Sequence, residues 1–164
     1  MSDRAEPSAT TLAHCVDDLS YDNFVRLQID PRVPMGHLWD CVTNQSHLND
    51  WWPGFVLEAR PEGRFEEIWT EADGTRKRTG GHLHVFDPDW RLMLIWRDGD
   101  WDFDTHVNVE LQEKPEFTSL HLVHTGWESA PEDDRRRLID DHIAGWSRHL
   151  TNLCVHAERS LDAA

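Results

Sequence analysis

The stretch PEDDRRRLIDDHIAGWSRHLTNLCVHA, residues 131–157, decides how the rest of the chain is read. Leu138, Ile139, His142, Ile143, Trp146, Leu150, Leu153 and Ala157 recur at helical spacing. Arg135, Arg136, Asp140, Asp141 and Arg148 cover the opposite side. Ser129 and Glu132 have capping-box spacing, Pro131 falls in the first turn, and Glu132, Asp133 and Asp134 complement the positive end of the helix dipole. At 1.5 Å per residue such a helix runs about 40 Å. A stripe of that length needs an equally long apolar surface to lie on.

The preceding segments supply that surface. Val25, Leu27 and Ile29 alternate with Phe24, Arg26 and Gln28, which predicts a strand over residues 22–30. Pro31 and Pro34 punctuate the chain before a short helix carrying Met35, Leu38, Trp39 and Val42 on one face. Ser46 is placed to cap a second short helix that holds Leu48 and ends before Pro53. Strands are then predicted over 56–59, 64–70, 76–86, 90–97, 105–112 and 117–126. Short connections such as Asp73-Gly74, Asp87-Pro88-Asp89 and Asp98-Gly99-Asp100 separate them. That pattern is an antiparallel meander of about seven strands, and with the helices it makes one α+β domain over residues 21–160.

Composition narrows the function. Nine tryptophans in a 164-residue chain that is only 38% hydrophobic concentrate the apolar surface in aromatic walls. Such walls enclose either a dense core or a cavity. A net charge of −15 repels phosphate backbones and anionic lipid, which argues against nucleic-acid and membrane partners. Residues 1–20 are polar, lack an apolar signal region, and are expected to form a flexible tail. Cys15, Cys41 and Cys154 show no paired spacing and suit a reducing cytoplasm, Cys41 and Cys154 as small buried apolar groups.

Several motifs, weak singly, occur in a shared order. They are Leu38-Trp39, Trp51-Trp52-Pro53, Pro61-Glu62-Gly63-Arg64-Phe65, Gly81-His82-Leu83, Thr118-x-Leu120-x-Leu122-x-His124-x-Gly126-Trp127 and His142-x-x-Gly145-Trp146. In this the chain resembles the helix-grip proteins of the START and Bet v 1-like (SRPBCC) superfamily. It is most similar to those like the C-terminal domain of the activator of Hsp90 ATPase, from about Tyr21 to Glu158. The resemblance implies a curved sheet wrapped around the long helix, with a ligand cavity between them. No additional N-terminal domain like that of the eukaryotic co-chaperone is expected, so Hsp90 contact ranks as a third expectation.

Expected cavity-wall residues are Trp52, Trp69, Trp96, Trp101, Leu122, His124, Trp127, His142 and Trp146. Very few polar groups are expected to converge there, so the expected ligand is a small hydrophobic or aromatic molecule and no cofactor is called for. If the protein is an enzyme of the cyclase, dehydratase or hydrolase kind, His124, with His142 or Asp104, is the expected proton-transfer group. Glu67 is a further carboxylate whose strand parity the sequence leaves open. Metal binding is not expected: His82 and His84 share one strand face but bring no further ligand pattern, although His106 and His121 could present likewise from later strands. Trp51 and Trp90, flanked by turns and polar residues, are expected to be partly exposed and to allow a two-fold homodimer.

Overall fold

The computed structural model describes residues 16–21 and 23–162; most of the expected tail, residues 1–15, lies outside them. Eight antiparallel strands form one curved, unclosed sheet: β1 (Val16–Asp18), β2 (Val25–Ile29), β3 (Phe55–Leu57), β4 (Arg64–Thr70), β5 (Arg76–Asp87), β6 (Arg91–Asp98), β7 (Thr105–Glu113) and β8 (Thr118–Thr125). Their spatial order is β1-β2-β8-β7-β6-β5-β4-β3. Two short helices, α1 (Met35–Thr43) and α2 (Gln45–Trp51), separate β2 from β3, and the long α3 (Glu132–Asp162) is the last described element. This is the helix-grip arrangement. The strand beyond the seven expected is β1, where Val16 to Asp18 pair with Ile29 to Leu27. Three residues are too short to show alternation, so this edge strand reads as tail.

Two caps differ from expectation. Asn44, not Ser46, caps α2: its side chain accepts from the Ser46 backbone N–H at 2.9 Å. Ser129 belongs to a one-turn 3-10 helix, Trp127–Ser129, so α3 starts after Pro131 and the Ser129–Glu132 capping box does not form. The acidic first turn of Glu132, Asp133 and Asp134 is in place.

Pairing register shows which side chains face α3. Across β2, β8 and β7, Leu27, Leu122 and Val109 are opposite one another, as are Val25, His124 and Val107, and all six are buried. On β5 a bulge at His84 shifts the alternation, so Leu83 pairs with Leu94 while Val85 pairs with Met93. Phe86 therefore turns inward against Trp39 (ring centroids 5.7 Å apart), while His82 and His84 remain exposed on the outer face. One inward position has no side chain: Gly81 lies between Phe65 and Trp96, whose rings stack at 5.5 Å. A Cβ there would come within 1.7 Å of the Ile95 carbonyl oxygen.

Helix and sheet are joined through a buried histidine. The Trp146 Nε1–H of α3 donates to His124 Nδ1 of β8 at 3.0 Å. The ring proton is therefore on Nε2 and is donated to Thr105 Oγ1 at 2.7 Å; that hydroxyl donates to the Trp96 carbonyl at 3.1 Å. The Trp127 indole donates to the His124 carbonyl at 3.0 Å. His124 is fully buried, and burial, reinforced by His142 and His106, holds it well below the ordinary imidazole range. It is neutral, and both ring nitrogens are occupied.

Replacing His124 with Phe leaves the Trp146 indole without an acceptor and should cost roughly 1–3 kcal/mol in urea unfolding near neutral pH. Acid adds a second signature. Below about pH 6.5 the unfolded chain protonates this imidazole while the native state does not, so native stability falls as pH drops. Each such histidine contributes about 1.4 kcal/mol per pH unit, and the His124→Phe variant should lose one share of that slope. An unchanged slope would remove the buried-neutral assignment.

Candidate functional site

The central space between sheet and helix is filled. Leu122, Trp52, Leu94, Leu150 and Leu153 pack there around a residual void of about 40 Å³. The usable cavity is a cleft of about 680 Å³ beside it, open to solvent, between the first half of α3 and the ends of β4, β5 and β6. Its aromatic walls are Trp69, Trp96, Trp101, Phe103 and Trp146.

The floor carries a polar rung set by register. Glu67 of β4 is opposite Thr79 of β5, which is opposite Asp98 of β6, so all three side chains point inward at one level. Trp69 Nε1 donates to Thr79 Oγ1 at 3.0 Å, and Thr79 in turn donates to Asp98 Oδ1 at 2.7 Å. Trp52 Nε1 donates to Glu67 Oε1 at 3.0 Å. Burial raises the Glu67 carboxyl above its ordinary range, with Asp98 adding to the effect and the Trp52 bond opposing it.

The helix contributes two histidines from above. His142 donates through Nδ1 to the Leu138 carbonyl at 2.8 Å, so in the neutral ring Nε2 keeps its lone pair; that nitrogen lies 3.8 Å from Asp98 Oδ2. Burial lowers its pKa, while Asp98 and the Leu138 bond pull the other way. His149 stacks on Trp52 with centroids 4.0 Å apart, and burial lowers it to about 4. Around the whole cleft, seven carboxylates face three Lys and Arg side chains.

Among the buried indole nitrogens of the described residues, one is left over. Trp51 donates to the Cys41 carbonyl, Trp52 to Glu67, Trp69 to Thr79, Trp127 to the His124 carbonyl and Trp146 to His124. Trp96, only 5% exposed and lining the cleft, has no partner for its Nε1–H among the described residues. A buried donor left unpaired costs on the order of 1–3 kcal/mol.

The sequence-selected residues therefore divide. Trp69, Trp96, Trp101, His142 and Trp146 line the cleft. Trp52 backs it through Glu67 and His149, and Trp127 stands behind His142 with ring centroids 4.8 Å apart. Leu122 lies in the packed interior, and His124 is committed to the helix–sheet joint. Asp104 pairs with Arg97 at 2.8 Å on the outer face of the sheet, away from both histidines. Trp51 is buried, contrary to expectation, whereas Trp90 is 43% exposed. Polar groups converge more than expected, through Glu67, Asp98, His142 and His149.

Asp98, Thr79, Phe103 and His149 were not singled out from the sequence. His149 was accessible, since His142, Trp146 and His149 stand at i, i+4 and i+7 on one helix face. Asp98 was read as a turn residue, yet it is two positions after Trp96 and shares its face because β6 continues to Asp98.

Comparison with known proteins places this fold in context. No curated protein sequence matches the chain. Among solved structures, protein Ms6760 from Mycobacterium smegmatis superposes with a TM-score of 0.69 at 17% identity over 85% of this chain and 95% of that one. CalU16 from Micromonospora echinospora does so with a TM-score of 0.63 at 20% identity over 79% and 71%. DynU16, from the dynemicin biosynthetic locus, gives 0.68 at 18% identity over 84% of this chain and 48% of that one. These likenesses establish a shared fold. The family model described as "Activator of Hsp90 ATPase homolog 1-like protein" matches residues 32–158, and the chain belongs to that family, within the SRPBCC helix-grip proteins.

Proposed function

We propose that the cleft binds a small, largely aromatic or hydrophobic molecule, neutral or cationic, that presents a hydrogen-bond acceptor to Trp96. The observation that carries this reading is an aromatic-walled space of about 680 Å³ lined by Trp96, whose buried Nε1–H has no partner among the described residues. That volume suits a ligand of metabolite or drug size. The excess of carboxylates around the cleft disfavours anions. A second reading, proton-transfer catalysis of the cyclase, dehydratase or hydrolase kind, is favoured by the free His142 Nε2 beside Asp98. Binding to an Hsp90-type chaperone rests on the family description alone; pull-down with an ATPase assay tests it.

A panel of aromatic compounds differing in charge and acceptor groups, followed by tryptophan fluorescence and calorimetry, tests the first reading. Neutral or cationic members with an acceptor should bind, and their carboxylate analogues should bind at least about tenfold more weakly. No response across the panel would sink the proposal. Trp96→Phe keeps the ring and removes the donor, so it should weaken acceptor-bearing ligands by roughly 5- to 30-fold and leave acceptor-free analogues unchanged.

Gly145 separates stability from occupancy. It lines the cleft within α3, and an added Cβ meets nothing within 4 Å. Gly145→Ala should stabilise the protein by roughly 0.5–1 kcal/mol and retain binding, whereas Gly145→Phe should fill the cleft and abolish it. For any panel compound that is turned over, His142→Gln should keep binding within a few-fold while eliminating turnover; unchanged turnover would exclude His142 as the acid or base.

A further inference from the structure

A second cluster of chemically active side chains lies where α1, α2 and α3 meet, and none of its members lines the cleft. Cys41 of α1, His47 of α2 and His156 of α3 each bring one ligand atom within 4.8 Å of the others. Sγ is 4.0 Å from His47 Nδ1, which is 2.8 Å from His156 Nε2. We propose that Cys41, His47 and His156 form a binding site for one divalent cation of the zinc class.

Three features support the assignment. A thiol and two imidazoles are the donor set preferred by zinc and its d-block neighbours over magnesium or calcium. Tetrahedral zinc requires N···N separations of about 3.3 Å and S···N separations of about 3.6 Å, so the two rings must part and the sulfur must draw in, each by about half an ångström, to admit the ion. Asp40 Oδ2 lies 3.3 Å from His47 Nε2, and a proton carried on that nitrogen would leave the Nδ1 lone pair facing the cluster. That carboxylate–histidine arrangement orients metal ligands in many sites.

The surroundings leave a path for entry and a fourth position. His47 and His156 are half-buried, while Cys41 is buried, so the cation enters past the rings and reaches the sulfur last. His37, one helical turn before Cys41, brings Nε2 to 3.6 Å from Sγ, but that nitrogen already bonds the Ala157 carbonyl at 2.9 Å and Ser160 Oγ at 3.0 Å. Water therefore completes the tetrahedron. Binding forms three protein–metal bonds at the expense of the ion's hydration. Cys41 releases its thiol proton to solvent, and His156 transfers its ring proton from Nε2 to Nδ1.

Titration of the reduced, chelator-treated full chain with Co2+ tests the site. One equivalent should bind with a thiolate-to-cobalt charge-transfer absorption and tetrahedral d–d bands, and Zn2+ should displace it. Cys41→Ser should remove the charge-transfer absorption, and His156→Ala should weaken binding by at least about tenfold. His84→Ala, on the outer face of the sheet, should change neither. Because His156 is half-buried, its variant carries the test even if Cys41→Ser fails to fold. Cobalt bound without charge transfer, affinity unaffected by His156→Ala, or no binding at micromolar metal overturns the proposal.

Discussion

The hydrogen bond from Trp146 to His124 is the constraint on which the rest of the fold depends. Histidine can accept from an indole through one nitrogen and donate to a hydroxyl through the other while remaining neutral. At a fully buried position between helix and sheet, that capability lets two polar side chains meet without stranding a charge. The bond fixes the height and rotation of α3 over β8. With Trp146 held there, Leu150 and Leu153 descend into the apolar floor, and the helix packs against β1, β2, α1 and α2.

The first half of α3 then overhangs the β4–β6 side of a sheet that curves away beneath it. The cleft follows from this overhang. Its floor changes character within one rung: Phe65, Gly81 and Trp96 are apolar, whereas Glu67, Thr79 and Asp98 are polar. Aromatic walls above a carboxylate floor provide stacking and an acidic field together. The missing side chain at Gly81 lets Phe65 and Trp96 stack across β5, which seats the Trp96 ring at the edge of the space.

Much of this was legible in the chain. The α3 stripe, the period-two strands and the aromatic positions all reflect local periodicity, and periodicity survives into the fold because each element must bury one face. The losses are also physical. The bulge at His84 turns Phe86 inward where strict alternation from Leu83 puts Val85, since one extra residue inverts every later side chain. Trp51 appeared to be a turn aromatic until the Cys41 carbonyl provided an acceptor for its indole. His124 was recognised as interior, but its role as a joint instead of an acid or base depended on which partners took each ring nitrogen.

Local pattern alone determined the class of fold, the long helix, the sheet that receives it and most of the cleft's aromatic walls. Short-range spacing encodes which face of each element is apolar. Only tertiary structure decided which of those faces close completely and which stay apart, because that depends on the curvature of the sheet and the seating of one helix. It also decided that Asp98 and His149 join His142, that Asp104 faces outward, and that Cys41, His47 and His156 meet. Those three residues come from three helices, and no spacing in the chain records the angle at which the helices converge.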